Sequence, residues 1–369
     1  LGFFVYFCRK STPTISKKDK FMTIQKKPRL ANMELLRFMA MFMILTLHAD
    51  YFCFGWPQQR DILTLPEVWG VRILVEHWAI IGVDVFILIS GWFGIRTSLK
   101  GAVKLLFQVF FIALLSSGTV LLLKGMPTGG LIAIAKSFTS YWFVWSYLLL
   151  YLFAPALNAF VETAGKQQLK GFLIAFFTFA TLDLAAHFSD DFRWGYSAIF
   201  FMGLYVLARY TRLHVDYKAL RTRTLLIVYA ACLLFPAFFT FVSASWLPLI
   251  FYQIAKTFFL TYSFLINVLE AIVLLILFDR LQLRPSLSRP INWLAAGAFT
   301  VYLVHQNTLV RPLYAQWVKD IDTSLPFGLN FLGVALMLCA VYLACTLLDQ
   351  LRVAAWQSGE KLWGKYRKK

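Results

Sequence analysis

The chain has 369 residues, of which 60% are hydrophobic and 15% charged. Soluble domains hold about 45–50% apolar and about 25% charged residues, so one or two water-surrounded cores cannot hide this much apolar side chain. A soluble enzyme, a disordered chain and a disulfide-stapled secreted domain are excluded, and the composition is that of a polytopic membrane protein. The net charge of +18 would point to nucleic acid on a soluble protein. Here the basic residues lie between apolar runs, so membrane topology accounts for them and no nucleic-acid partner is expected. Five cysteines without a CxxC pair indicate neither a metal site nor a disulfide framework.

Residues 1–28 read as an N-terminal extension, disordered or upstream of a natural start at Met22. A bilayer core takes about 20 apolar residues. On that scale ten spans follow in chain order: Leu35–Phe54, Ile73–Ile95, Val103–Leu123, Trp142–Ala159, Leu169–Phe188, Tyr196–Tyr210, Thr224–Ser245, Tyr262–Leu281, Ile291–Leu313 and Leu329–Leu351. The stretch Trp246–Thr261 fits either an interfacial segment or a longer eighth span. The expected architecture is all-α, with about ten transmembrane helices in a domain over residues 29–355, then a basic tail over 356–369. Lys and Arg alternate loop by loop, 27 on one side and 8 on the other. The positive-inside rule then places both termini in the cytoplasm.

Ionisable residues inside spans are costly and mark candidate sites. Arg37 and His48 in the first span are eleven residues apart. At 100° and 1.5 Å per residue they share one helix face and stand roughly 16 Å apart along the axis. That spacing suits an elongated ligand with its anionic head on Arg37 and its reactive end at His48. The competing reading pairs Arg37 with Glu34 and gives His48 a carbonyl partner. In the second span, GVDVFILISGW (82–92) carries Asp84, a candidate for orienting a membrane histidine and equally for a structural ion pair. Ser90-Gly91 in the same run permits close approach of backbone and ligand. His305 lies beside Gln306 and Asn307 in the ninth span, and Glu270 is a further buried acid in the eighth. Glu76 and His77 are read as surface groups satisfied by water. No phosphate-binding loop, HExxH or GxSxG motif is present.

Four stretches together resemble the membrane-bound acyltransferase family 3, whose members modify bacterial surface polysaccharides. They are the Arg-x10-His pattern of Arg37 and His48, GVDVFILISGW with Asp84, Ser90 and Gly91, YWFVWSYLLLYLFAPALN at 141–158, and FTVYLVHQN at 299–307. The resemblance implies an O-acyltransferase, most often an acetyltransferase, in the bacterial cytoplasmic membrane. The donor would be acyl-CoA, acetyl-CoA above all, and the acceptor a hydroxyl of a cell-surface or lipid-linked glycan. No metal is implied. His48, Asp84 and His305 are the catalytic candidates, with His48 as general base. Arg37, Arg96, Lys100, Lys104 and Ser90 are the candidates for the donor, although the family usually has arginines where Lys100 and Lys104 stand. The alternative function is a secondary transporter or flippase of a glycan or small molecule, to which ten spans and buried charges are also ordinary.

Overall fold

The computed structural model describes residues 30–125 and 129–366, so the expectation for residues 1–28 lies outside the described part. One compact unit begins at Ala31. It is built from α1 (Ala31–Phe54), α2 (Gln59–Thr64), α3 (Pro66–Ile80), α4 (Gly82–Phe93), α5 (Leu99–Lys124) and α6 (Gly130–Thr139). There follow α7 (Trp142–Thr163), α8 (Lys166–Ala186), α9 (Ala198–His214), α10 (Thr222–Trp246) and α11 (Leu249–Phe259). The last four are α12 (Leu265–Asp279), α13 (Pro285–His305), α14 (Arg311–Ser324) and α15 (Leu329–Tyr366). Among the described residues there is no strand.

Among the described residues, seven segments are long and apolar enough to cross a membrane: α1, α3 with α4, α5, α7, α8, α10 and most of α15. The remaining three expected spans correspond to α9, α12 and α13, which are shorter or more polar. The helix α1 is the hub, packed on α3, α4, α12, α13, α14 and α15. Two glycines of the GVDVFILISGW run permit this packing. A Cβ on Gly82 would stand 2.8 Å from the Ala40 carbonyl oxygen of α1, and one on Gly91 would stand 2.6 Å from that of Tyr205 in α9. Gly91 therefore serves helix contact.

Loops expected on the same side of the bilayer meet at the same end of the bundle. At the Arg37 end, Asn32 Nδ2 donates to the Phe278 carbonyl at 2.8 Å, Arg212 to the Trp92 carbonyl and Arg280 to the Tyr217 carbonyl. At the opposite end, Gln59 donates to the Ala244 carbonyl at 2.9 Å, and Tyr252 to that of Pro57.

Several expectations are corrected. The ninth span stops at His305 and does not run to Leu313, because Asn307 turns the chain: its Oδ1 accepts from Leu309 N at 3.0 Å. Of the two readings left open for Trp246–Thr261, the longer eighth span fails: within it Leu249–Phe259 forms a separate eleven-residue helix, α11. The final helix runs past the expected end of the tenth span at Leu351 to Tyr366. Glu76 and His77 are not at a wet surface, since α3 packs between α1 and α10 and leaves them 0% and 2% exposed. His77 bonds the Ile73 carbonyl at 2.7 Å and Thr240 at 3.2 Å, which ties α3 to α10.

Candidate active site

His48 occupies the last third of α1, and His305 is the last residue of α13, the helix packed along α1. Their rings meet with His48 Nδ1 2.9 Å from His305 Nε2. The network assigns the protons. His305 Nδ1 lies 2.7 Å from the Val301 carbonyl, which can only accept, so this nitrogen is the donor. In the neutral ring Nε2 then holds a lone pair and accepts from His48 Nδ1–H. His48 Nε2 is left as the basic nitrogen. The Gln306 amide nitrogen stands 2.8 Å from His48 Nδ1 and 3.0 Å from Nε2; with Nδ1–H spent on His305, Nε2 is the nitrogen that can accept from the amide. Phe52, one turn on, stacks on the imidazole at 4.9 Å and 6°. His305 is fully buried and His48 half-buried, so the pair has a closed side and an open one.

Asp84 is not part of this contact. It is fully buried in the first turn of α4, and neither carboxylate oxygen has a hydrogen-bond partner among the described residues. The imidazole of His48 is oriented by a second histidine and not by a carboxylate. Glu270 is also remote from the pair: it faces α10 beside Tyr229 and Cys232.

The other candidates lie toward the opposite end of α1. Arg37 Nη1 contacts both Glu34 oxygens at 2.6 Å, and its charge reaches the Tyr147 hydroxyl. Ser90 Oγ stands 3.3 Å from that hydroxyl, so Arg37, Ser90 and Tyr147 share one region. Arg96 is exposed. Lys100 is taken by Glu360 of α15 at 2.6 Å, and Lys104 is exposed one turn further along α5.

Sequence reasoning passed over several residues here. Tyr205 donates to Asn158 Oδ1 at 2.7 Å and accepts from Ile95 N at 2.8 Å, while Asn158 holds the Ile95 carbonyl at 3.0 Å. Together they fix the chain that leaves α4. Arg209 lies against this turn, and its Nε is buried without a partner among the described residues. Tyr147 and Asn158 fall inside the 141–158 run already noted, which was the available signal. Arg209 was visible only as one more basic residue of a loop.

Among the described residues, no group of three or more His, Cys, Asp or Glu is placed to hold a metal ion. What the arrangement can do chemically is proton transfer: a half-buried histidine offers a lone pair, and a buried histidine fixes its tautomer.

Comparisons with curated proteins and with solved structures return no match. A family model described as an acyltransferase domain, that of acyltransferase family 3, matches residues 30–349. That stretch runs from the start of α1 almost to Arg352 and includes Arg37, His48, Asp84 and His305; the chain belongs to the acyltransferase family 3.

Proposed function

We propose that the protein is an O-acyltransferase of a bacterial cytoplasmic membrane. It moves an acyl group, acetyl in the first instance, from cytoplasmic acyl-CoA to a hydroxyl of a cell-surface or lipid-linked glycan. The observation that carries this reading is the His48–His305 couple, with one basic nitrogen on its open side.

The acceptor hydroxyl displaces Gln306 from His48 Nε2 and gives its proton to that nitrogen as its oxygen attacks the thioester carbonyl. Collapse of the tetrahedral intermediate breaks the carbon–sulfur bond. The imidazolium returns the proton to the departing CoA thiolate, and His48 is regenerated. His305 holds Nδ1–H throughout, so only Nε2 exchanges protons. Histidine suits this task because its ordinary titration range spans neutral pH.

The donor enters from the Arg37 end. CoA phosphates call for Arg and Lys; Arg37 lies with Ser90 and Tyr147 there, Arg209 lies beside Tyr205, and Arg96 is exposed just beyond the turn that Tyr205 and Asn158 fix. The axial distance from Arg37 to His48, roughly 16 Å, lets an extended thioester arm reach the base while its phosphates stay at the membrane edge. Asp84 acts, in this scheme, through the packing of α4 and not through a bond to His48.

The test is transfer from radiolabelled acetyl-CoA to glycan in membranes that carry each variant at matched protein level. His48→Ala should keep CoA binding and lose transfer by about 10²–10⁴-fold. Arg37→Ala should weaken CoA binding, and salt should weaken binding by the unmodified protein. Near-normal turnover in His48→Ala would overturn the assignment of the base.

A further inference from the structure

The mouth above His48 has a charge composition that the proposed chemistry leaves unused. Arg311, at the start of α14, places its guanidinium carbon 5.1 Å from the Phe52 ring centroid, and Phe52 stacks 4.9 Å from His48. Two steps of 5.1 and 4.9 Å put this cation within about 10 Å of the basic imidazole. Tyr51 and Trp56 pack at 5.1 Å beside Phe52, and Lys256 of α11 completes the wall. The cleft they enclose is open and has a volume of about 570 Å³.

Neither cation is neutralised. Among the described residues, Arg311 and Lys256 have no ion pair, and Lys256 is half-buried. The acids on the same helices are already engaged. Asp50 of α1 and Asp322 of α14 both bond Arg72, and Asp320 accepts from Gln316 at 2.7 Å. Glu34 lies at the far end of α1 with Arg37. The sequence of α11, LIFYQIAKTFF, contains no acid.

We propose that this cleft is the acceptor subsite and that it selects a saccharide carrying an oxyanion, carboxylate or phosphate, within about one sugar of the hydroxyl that is acylated. The inference rests on the acyltransferase reading above and names its acceptor class. The faces of Tyr51 and Trp56 offer apolar surface to the C–H side of a sugar ring. Arg311 and Lys256 offer charge-assisted hydrogen bonds to the oxyanion. A neutral saccharide would fill the cleft and leave two cations partly desolvated without partners. Specificity of this kind is strong, because a site built for a polar group rejects the analogue that lacks it.

The oxyanion belongs either to the glycan or to the phosphate that links it to a carrier lipid, and one experiment separates the sources. Membranes of the native host receive radiolabelled acetyl-CoA, and the labelled saccharide is run by electrophoresis at neutral pH before and after mild-acid release from lipid. Anionic migration after release identifies a charged glycan. Anionic migration that is lost on release identifies the carrier phosphate. Both support the proposal. A labelled saccharide that is neutral before release overturns it and leaves the acyltransferase reading standing, whereas no labelled saccharide at all overturns both.

The purified Arg311→Gln/Lys256→Gln protein adds a kinetic arm with the labelled host saccharide as acceptor. Its KM for that saccharide should rise by about tenfold or more, as expected for lost charge-assisted bonds, while its KM for acetyl-CoA stays unchanged. A rise in the KM for acetyl-CoA alone would assign the cleft to the donor and overturn the proposal.

Discussion

Two polar clusters share α1 two residues apart, and they are built on opposite principles. His48 faces α13 and His305. At 100° per residue, Asp50 faces nearly the other way and meets Arg72 of α3, which also bonds Asp322 of α14. In the Arg72 cluster the charges are paired inside the bundle, although Arg72 Nε and Asp50 Oδ2 find no hydrogen-bond partner among the described residues. Arg72 is 4% exposed, its two terminal nitrogens are spent on two carboxylates at 2.9 and 3.0 Å, and Phe54 covers the guanidinium at 3.5 Å. In the histidine cluster three ring nitrogens are held by a carbonyl and by each other, and the fourth, His48 Nε2, meets only the side-chain amide of Gln306, which a substrate can displace. The first arrangement locks three helices together. The second keeps a basic atom on a half-buried ring stacked on Phe52, which lines the open cleft. Burial of charge alone therefore does not mark the functional site; a basic nitrogen whose partner a substrate can displace does.

Substitutions separate the two roles. The largest loss of turnover belongs to His48→Ala, about 10²–10⁴-fold, with thermal stability close to that of the unmodified protein. Arg72→Met should do the reverse. It strands Asp50 and Asp322, and an uncompensated buried charge costs about 3–5 kcal/mol. The yield of monodisperse protein in detergent should collapse, and Arg72→Met/Asp50→Asn/Asp322→Asn should recover much of it. Normal yield for Arg72→Met alone would dissolve the contrast between the clusters.

Smaller effects sharpen the comparison. His305→Ala removes the acceptor for His48 Nδ1–H, and loss of an orienting partner costs about 10–100-fold in comparable histidine sites. His305→Gln keeps an acceptor oxygen and should return part of the rate, with KM for acetyl-CoA unchanged in both variants. If His305→Ala and His305→Gln were equally impaired, orientation would not be what His305 supplies. The smallest change belongs to Asp84→Asn. No hydrogen bond joins Asp84 to His48, so transfer should stay within a few-fold of normal when rates are compared at equal folded protein. A loss as deep as that of His48→Ala would restore Asp84 to the catalytic group.

Much of the bundle was legible in the sequence because hydropathy and length are one-dimensional properties. Seven of the expected spans recur as long apolar helices, and the expected loops gather at two ends. The depth and common helix of Arg37 and His48 followed from spacing alone, and α1 is unbroken across both. The failures have a shared cause. Which residues meet across helices depends on packing, and spacing within one helix carries no record of it. Asp84 looked like the partner of His48 because both are deep, yet α4 meets α1 through Gly82, which packs on Ala40, Met43 and Ile44, and Asp84 makes no bond to His48. Glu76 and His77 looked wet because they open an apolar run, but α3 extends back to Pro66 and lies between two helices. Arg311 and Lys256 entered the sequence reading only as outer-loop charges. Their common cleft appears once α11 and α14 fold over the end of α1.

The central claim is that His48 Nε2 is the base that takes the acceptor proton. Chemical rescue tests it most directly. His48→Ala leaves space beside Phe52 and His305, and added imidazole can occupy it. Transfer of label from acetyl-CoA to glycan by purified His48→Ala protein should be restored in part by imidazole, in proportion to its unprotonated fraction, with no effect of imidazole on His305→Ala at the same concentration. Turnover by His48→Ala that equals the unmodified protein without imidazole would contradict the claim.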